Sequence, residues 1–268
     1  MELGVGFMSN EELFSVKGKI AVVTGGTRGI GKMIATGFVR AGATTYVTSR
    51  KEEACTQTVS ELSELGECHA HASDLSTLEG IDRFMSWLQP KAQKVDILVN
   101  NAGATWGEPI EQFSEMGWDR VMDLNVKSLF FVTQKMLPLL RTAAQESDRG
   151  RVINIGSIDG LTVPITDGNI AYPASKSAVH HLTRVLASEL ARDKITVNTI
   201  SPGPFESKMT AFLLDSEDGK ETIGSTMPLG RIGTPDDMIG LSIFLASRAA
   251  DYITGATIPL DGGYANLR

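Results

Sequence analysis

Apolar and polar positions along this chain follow two periods in turn. Short runs rich in β-branched residues recur at intervals, and after each one apolar residues return at helical spacing. Strands are predicted over residues 19–24, 44–48, 68–72, 95–99, 151–155, 195–200 and 256–260. Helices are predicted over 30–40, 52–65, 78–91, 115–141, 171–192 and 235–246. Strands that alternate with helices imply right-handed crossovers and a parallel sheet covered on both faces.

No polar linker or internal repeat divides the pattern. The expected fold is therefore α/β: a single doubly wound Rossmann-type domain over residues 17–268, with a parallel seven-stranded sheet, after an N-terminal extension over 1–16. Residues 204–231 break the regularity. They mix Gly219, Gly224 and Gly230 with the acids Asp215, Glu217 and Asp218, and with apolar Phe205, Met209, Phe212, Leu213, Leu214 and Met227. Irregular segments this long are usually binding loops or lids. The apolar content favours a lid that closes on an apolar substrate over a plain surface insertion.

Composition narrows the choice. The chain has 268 residues, 42% hydrophobic and 21% charged, which is ordinary for a globular protein. A net charge of −7 argues against nucleic acid as a partner and requires any anionic ligand to be held by a local basic cluster. Cys55 and Cys68 lack the spacing and the partners of a metal site, so no metal is expected and two reduced thiols of a cytoplasmic protein are. No apolar run approaches the ~18 residues of a membrane span, so no membrane is expected as a partner. The N-terminus has neither the basic start nor the apolar core of a signal peptide.

The turn after the first strand reads Thr24-Gly25-Gly26-Thr27-Arg28-Gly29-Ile30-Gly31. Glycines allow a tight turn and a close backbone approach, and the helix that follows offers free N–H groups to a phosphate. The spacing departs from the general G-x-G-x-x-G fingerprint, and a glycine-rich turn without a ligand is the alternative. The second strand ends in Thr48-Ser49-Arg50-Lys51, where an NAD site would carry an acid for the ribose hydroxyl. Arg50 and Lys51, with Arg28, suit a 2′-phosphate instead and favour NADP.

Tyr172 and Lys176 stand four apart at the start of the helical pattern 171–192, on one face of that helix. A phenol with a pKa of about 10 is a poor acid or base, and a nearby ammonium lowers that value. The pair is a candidate general acid/base for carbonyl–alcohol interconversion. On the spacing alone, a Tyr and a Lys four apart are usually just neighbours on a solvated face.

Taken together, these residues resemble the short-chain dehydrogenase/reductase family over about residues 17–264. The glycine motif matches at Thr24–Gly31, Asn-Asn-Ala-Gly at Asn100–Gly103, a helix asparagine at Asn125, a serine past the fifth strand at Ser157, Tyr-x-x-x-Lys at Tyr172 and Lys176, and Pro-Gly at Pro202 and Gly203. Alone, Ser157 reads as a turn residue, Asn125 as a helix hydrogen-bonder and Asp74 as a helix cap. The resemblance implies that Tyr172 exchanges the proton, Lys176 holds the nicotinamide ribose and lowers the tyrosine pKa, Ser157 binds the substrate carbonyl, and Asn125 holds a water for proton relay. It implies NADP(H) contacts at Gly25, Thr27, Arg28, Gly29, Ile30, Gly31, Ser49, Arg50, Lys51, Asp74, Leu75, Asn101, Ala102, Gly103, Tyr172, Lys176, Pro202 and Gly203.

The stretches 152–157, 201–210, 105–107 and 137–141 resemble the 3-oxoacyl reductases of the family, of the rhamnolipid-pathway type. Ketone and polyol reductases share much of that pattern. The implied activity is NADPH-dependent reduction of a ketone, most readily a 3-oxoacyl substrate. The alternatives are oxidation of a sugar, polyol or steroid alcohol and, remotely, an NADP-sensing binding protein without chemistry. Trp106, Phe205, Met209 and Phe212 are expected to wall the substrate pocket. The helical patterns at 129–140 and 171–190 are apolar on more than one side, which predicts subunit contacts. The resemblance implies a homotetramer.

Overall fold

A computed structural model describes residues 7–146, 149–164, 167–207, 210–214 and 216–267, without the side chains of Glu146, Phe212 and Leu213. In chain order the elements are α1 (Asn10–Leu13), β1 (Ile20–Thr24), α2 (Gly29–Arg40), β2 (Thr44–Ser49), α3 (Glu52–Leu62), β3 (Cys68–Ala72), α4 (Leu78–Leu88), β4 (Ile97–Asn100), α5 (Glu115–Met122), α6 (Ser128–Glu146), β5 (Gly150–Ile155), α7 (Ala171–Leu190), β6 (Ile195–Pro202), α8 (Ala211–Leu214), α9 (Glu217–Ser225), α10 (Pro235–Ala246) and β7 (Thr257–Leu260). The seven strands form one parallel sheet in the order β3-β2-β1-β4-β5-β6-β7. The order reverses between β1 and β4, and such a switch point opens a crevice at the carboxyl ends of the strands.

Successive strand residues point to opposite faces, so each strand feeds two cores. Ala21 and Val23 of β1 join Ile34, Phe38, Met238 and Leu245 from α2 and α10. Val22, between them, joins Phe84, Val132, Met136 and Val179 from α4, α6 and α7 on the other face. The central strands are apolar on both sides because helices cover both sides. This alternation is the doubly wound pattern that the sequence predicts.

Two elements differ from expectation. The helix expected over 115–141 is instead α5, then a π-helical turn Asp123–Lys127, then α6. The inserted residue turns Asn125 inward, where it is buried and hydrogen-bonded to Ala104 and Ser175. Such π-bulges concentrate at functional positions. The segment 204–231 holds two short helices, α8 and α9, and Lys220 on α9 is ion-paired with Glu206 and Glu217.

Of the N-terminal segment to residue 16, the described part carries α1, closed by a capping box of Ser9 and Glu12. It docks through Phe14 on Phe244 of α10 and through the buried Val16. Much of the apolar surface expected for subunit contacts on α6 and α7 is buried within the chain, including Leu129, Val132, Met136, Val179 and Leu186, whereas Val185 is exposed. Among the described residues, no helix is long and apolar enough to cross a membrane.

Candidate active site

A cavity of about 960 Å³ opens along the carboxyl ends of β1, β2, β4, β5 and β6. One end is built on the glycine turn. Gly25 and Gly29 have φ of 64° and 51°, in the left-handed region that favours glycine. A Cβ on Gly31 would sit 2.3 Å from Asn101 Nδ2 and 2.4 Å from the Gly25 carbonyl oxygen. The turn is latched to the β4 end. Thr24 Oγ1 accepts from the Asn101 and Ala102 amides at 2.9 and 3.0 Å, while Asn101 Nδ2 donates to the Thr24 and Gly25 carbonyls at 2.9 and 3.1 Å. This is a cradle that a side chain at position 31 would fill, beside the N-terminus of α2, and it fits a dinucleotide pyrophosphate. Arg28, Arg50 and Lys51 line the same end, and no acid follows the end of β2 until Glu52, which does not line the cavity. Thr48 Oγ1, also on the lining, is buried and has no hydrogen-bond partner among the described residues.

The other end gathers Ser157, Tyr172 and Lys176. Ser157 follows β5, and its Oγ accepts from the Asp159 amide at 3.1 Å. Tyr172 and Lys176 stack on the first turns of α7, with Nζ 5.5 Å from the ring centroid of the tyrosine. Lys176 is buried, and its Nζ donates to the Ile155 carbonyl at 2.7 Å. Burial pulls its ammonium down to about 8, and the Asp159 charge opposes that. Burial pushes the Tyr172 phenol up to about 12; a hydrogen bond with Ser157 pulls it back and the charge on Asp159 pushes it further up. The lowering by Lys176 that the sequence suggests is not found: desolvation dominates, and the opposing pull comes from Ser157. Tyr172 stands as a protonated phenol at neutral pH, the form that donates.

This geometry has close relatives. The family model described as Enoyl-(Acyl carrier protein) reductase matches residues 25–265. The rhamnolipids biosynthesis 3-oxoacyl-[acyl-carrier-protein] reductase of Pseudomonas aeruginosa is 45% identical over 251 residues, covering 94% of this chain and 98% of that protein. The chain belongs to the short-chain dehydrogenase/reductase family. The solved RhlG/NADP active-site complex of Pseudomonas aeruginosa superimposes with a TM-score of 0.90 at 44% identity, covering 95% of this chain and 99% of that one. The 2-dehydro-3-deoxy-D-gluconate 5-dehydrogenase of Escherichia coli is 38% identical over 256 residues, 94% of this chain and 97% of that protein. This member of the family is accordingly an oxidoreductase.

The remaining site residues of this dehydrogenase/reductase fall as follows. Thr27, Ile30, Ser49, Leu75, Ala102, Gly103, Pro202 and Gly203 line the cavity. Asp74 does not; its carboxylate accepts from the Ser76 amide and hydroxyl at 3.1 and 2.8 Å, a local turn at the approach to α4. Asn125 sits behind the lining. Its Oδ1 accepts from the Ala104 amide at 2.8 Å, and its Nδ2 donates to the Ala104 carbonyl and Ser175 Oγ. Both amide N–H groups are therefore engaged within the protein.

Of the four residues expected to wall the substrate, Phe205 lines the cavity, and its ring fills the space a Cβ would take on Gly233. Trp106 is not on the lining. Its ring packs on Gly117 of α5, where a Cβ would come within 2.3 Å of it, under the Arg120 guanidinium at 5.2 Å. Gly117 leaves the slot that draws the indole outward. Met209 and the side chain of Phe212 lie outside the described residues.

Sequence reasoning missed two residues at the catalytic end. Asp159 lines the cavity two positions after Ser157. His180 is buried beneath the Ser157 loop, where Nε2 accepts from the Ser201 hydroxyl at 2.9 Å and the Ser157 amide at 3.5 Å. Burial pulls His180 down to about 4, helped by Lys176 and opposed by the Gly160 carbonyl. Its place was legible as helical spacing, since residue 180 follows Lys176 by four.

Proposed function

We propose that this chain is an NADPH-dependent reductase that transfers a hydride to a ketone, most readily a 3-oxoacyl substrate, with Tyr172 as proton donor. One observation carries the reading: the Tyr172 phenol stands with Ser157 and Lys176 at one end of a cavity whose other end carries Arg28, Arg50 and Lys51. The glycine turn and Asn101 would hold the cofactor phosphates, and the three cations its 2′-phosphate. When bound, NADPH supplies the hydride.

The Ser157 hydroxyl and the Tyr172 phenol would both donate to the substrate oxygen as negative charge develops there, and Tyr172 would complete the proton transfer. Lys176, fixed by the Ile155 carbonyl, would place its ammonium beside the phenolate that results. Asn125 would act as a positioning residue for the 103–104 loop: a Cβ on Gly103 would lie 3.2 Å from its Oδ1 and 3.8 Å from Lys176 Nζ. Residues 204–231 would form the lid. They contribute Phe205, Leu214, Ile223 and Met227 to the lining, and Ser207 comes close enough that a Cβ on Gly29 would meet it at 3.0 Å.

The substrate class follows the name of the relative at 45% identity. A second reading is oxidation of a sugar or polyol alcohol, which the polar side chains Thr105, Asp159 and Asn169 on the lining support. We further propose a cytoplasmic homotetramer. Met116 and Trp118 on α5 and Val185 on α7 leave apolar surface for a partner subunit.

The test is consumption of NADPH and of NADH with a panel of 3-oxoacyl thioesters, simple ketones and polyols. The reading expects turnover of the thioesters with NADPH well above NADH. Turnover confined to polyol oxidation would replace it by the second reading, and absence of turnover with every compound would sink both.

A further inference from the structure

We infer that Asp159 makes the substrate end of the cavity select neutral ketones and reject ketones that carry a carboxylate. The inference rests on the carbonyl-reductase reading and narrows its substrate.

Asp159 is held next to the reacting centre, because its backbone N–H is bonded to Ser157 Oγ at 3.1 Å. It is half-buried, and among the described residues its carboxylate takes part in no hydrogen bond and no ion pair. Its charge is felt by the catalytic pair, since it pushes both the Tyr172 phenol and the Lys176 ammonium up. Asp167 lines the same cavity and has the same sign. Of the cations on the described lining, Arg28, Arg50 and Lys51 belong to the glycine turn and the β2 end. Lys176 shares the catalytic end and offsets part of the Asp159 charge, but its ammonium is engaged by the Ile155 carbonyl.

A substrate carboxylate near its own carbonyl would therefore meet like charge in a cavity open to solvent, where water damps the repulsion only in part and salt weakens it further. A neutral ketone avoids that repulsion. One that carries a hydroxyl or amide N–H also supplies the donor that the Asp159 carboxylate lacks. Thioesters and neutral hydroxy ketones fit this end, and sugar acids do not.

The test uses the full-length enzyme with NADPH at pH 8, above the carboxylate range. The substrates are a γ-keto ester and the γ-keto acid obtained by its hydrolysis, compared by kcat/KM. Wild type is expected to prefer the ester. Asp159→Asn and Asp159→Ala should each raise the acid-to-ester ratio about ten-fold, the order expected for removing one nearby like charge. Raising the ionic strength should raise the same ratio in wild type, because salt screens the repulsion.

Equal use of acid and ester by wild type, or a ratio that neither variant moves, overturns the assignment to Asp159 and leaves the reductase reading standing. Should the variants fail to fold, a wild-type ratio that is flat from low to high salt overturns it equally. Absence of turnover with any ketone overturns the reductase reading and this inference with it.

Discussion

The two ends of the cavity are made of different materials. At the glycine turn the walls are backbone: left-handed glycines, strand-end amides and the N-terminus of α2, latched by Thr24 and Asn101. At the catalytic end they are side chains, with Ser157, Asp159 and Tyr172 backed by Lys176 and His180. A backbone cradle tolerates little change of shape, because a single added methyl meets another main chain. A side-chain site tolerates changes of shape better than changes of charge or proton inventory. Function at the first end should therefore fail through sterics, and at the second through chemistry.

The largest expected effect tests the second half of that statement. Tyr172→Phe removes one oxygen and keeps the ring over Lys176. General acid catalysis contributes about 10²–10⁴-fold, and kcat should fall by that order while the Kd for NADPH stays within about three-fold. Steady-state kinetics with cofactor fluorescence titration reads both. A loss of cofactor binding as large as the loss of kcat would break the division between the ends.

Gly31→Ala tests the first half. The new Cβ would lie 2.4 Å from the Gly25 carbonyl oxygen, so main chain must move. A cost of about 3 kcal/mol is expected for such overpacking, seen as a lower Tm together with weaker NADPH binding. A variant with native Tm and native cofactor affinity would show that the cradle is softer than its geometry.

Legibility in the sequence follows the same division. The glycine turn, the strand ends and the Tyr172–Lys176 pair were readable because each depends on local spacing: a turn between strand and helix, or one helical turn. The alternating blocks gave the sheet and its covering helices for the same reason. Hidden were the features that depend on contacts distant in sequence. Trp106 looked like a pocket wall until the slot over Gly117 drew its ring away. The π turn at Asn125 interrupts a helical pattern that reads as continuous, because its cause is a hydrogen bond to Ala104 across 21 positions. Helical spacing puts His180 on the Lys176 face, but nothing in its neighbourhood in the chain reveals Ser201 above it.

His180 separates the ends under acid. Its folded value near 4 lies below the ordinary 6.5, so the unfolded chain takes up the proton first as pH falls. The stability its burial confers is complete above pH ~6.5 and is lost as pH drops toward 4. The loss should be on the order of 2 kcal/mol between pH 7 and 4.5, read by urea melts at each pH. His180→Gln, which keeps an acceptor and cannot titrate, should flatten that slope. An equally steep slope in the variant would move the acid sensitivity elsewhere.

Cofactor choice is expected to be a smaller effect, because the groups are exposed. Arg50→Ser should lower the preference for NADPH over NADH about ten-fold, the loss of one charge-assisted contact to a phosphate in water. The double variant with Lys51→Ser should go further, and neither should change kcat at saturating cofactor. If both variants kept the wild-type preference, the 2′-phosphate would have to be read by Arg28 or by residues off the β2 end.

Trp106→Phe should have the smallest effect, and the reason sharpens the contrast between ends. Its indole lies between Gly117 and the Arg120 guanidinium, outside the cavity. Phenylalanine keeps an aromatic face in that slot with a smaller ring, so the change costs about 1 kcal/mol of packing and cation–π contact. KM for a ketone should move by less than about two-fold, because no atom that lines the cavity is lost. A wall residue behaves differently: shrinking it changes the shape that the substrate meets and therefore KM. A KM that rose about ten-fold in Trp106→Phe would mean that the ring swings inward when substrate binds, and the catalytic end would then be completed by a residue that stands outside it at rest.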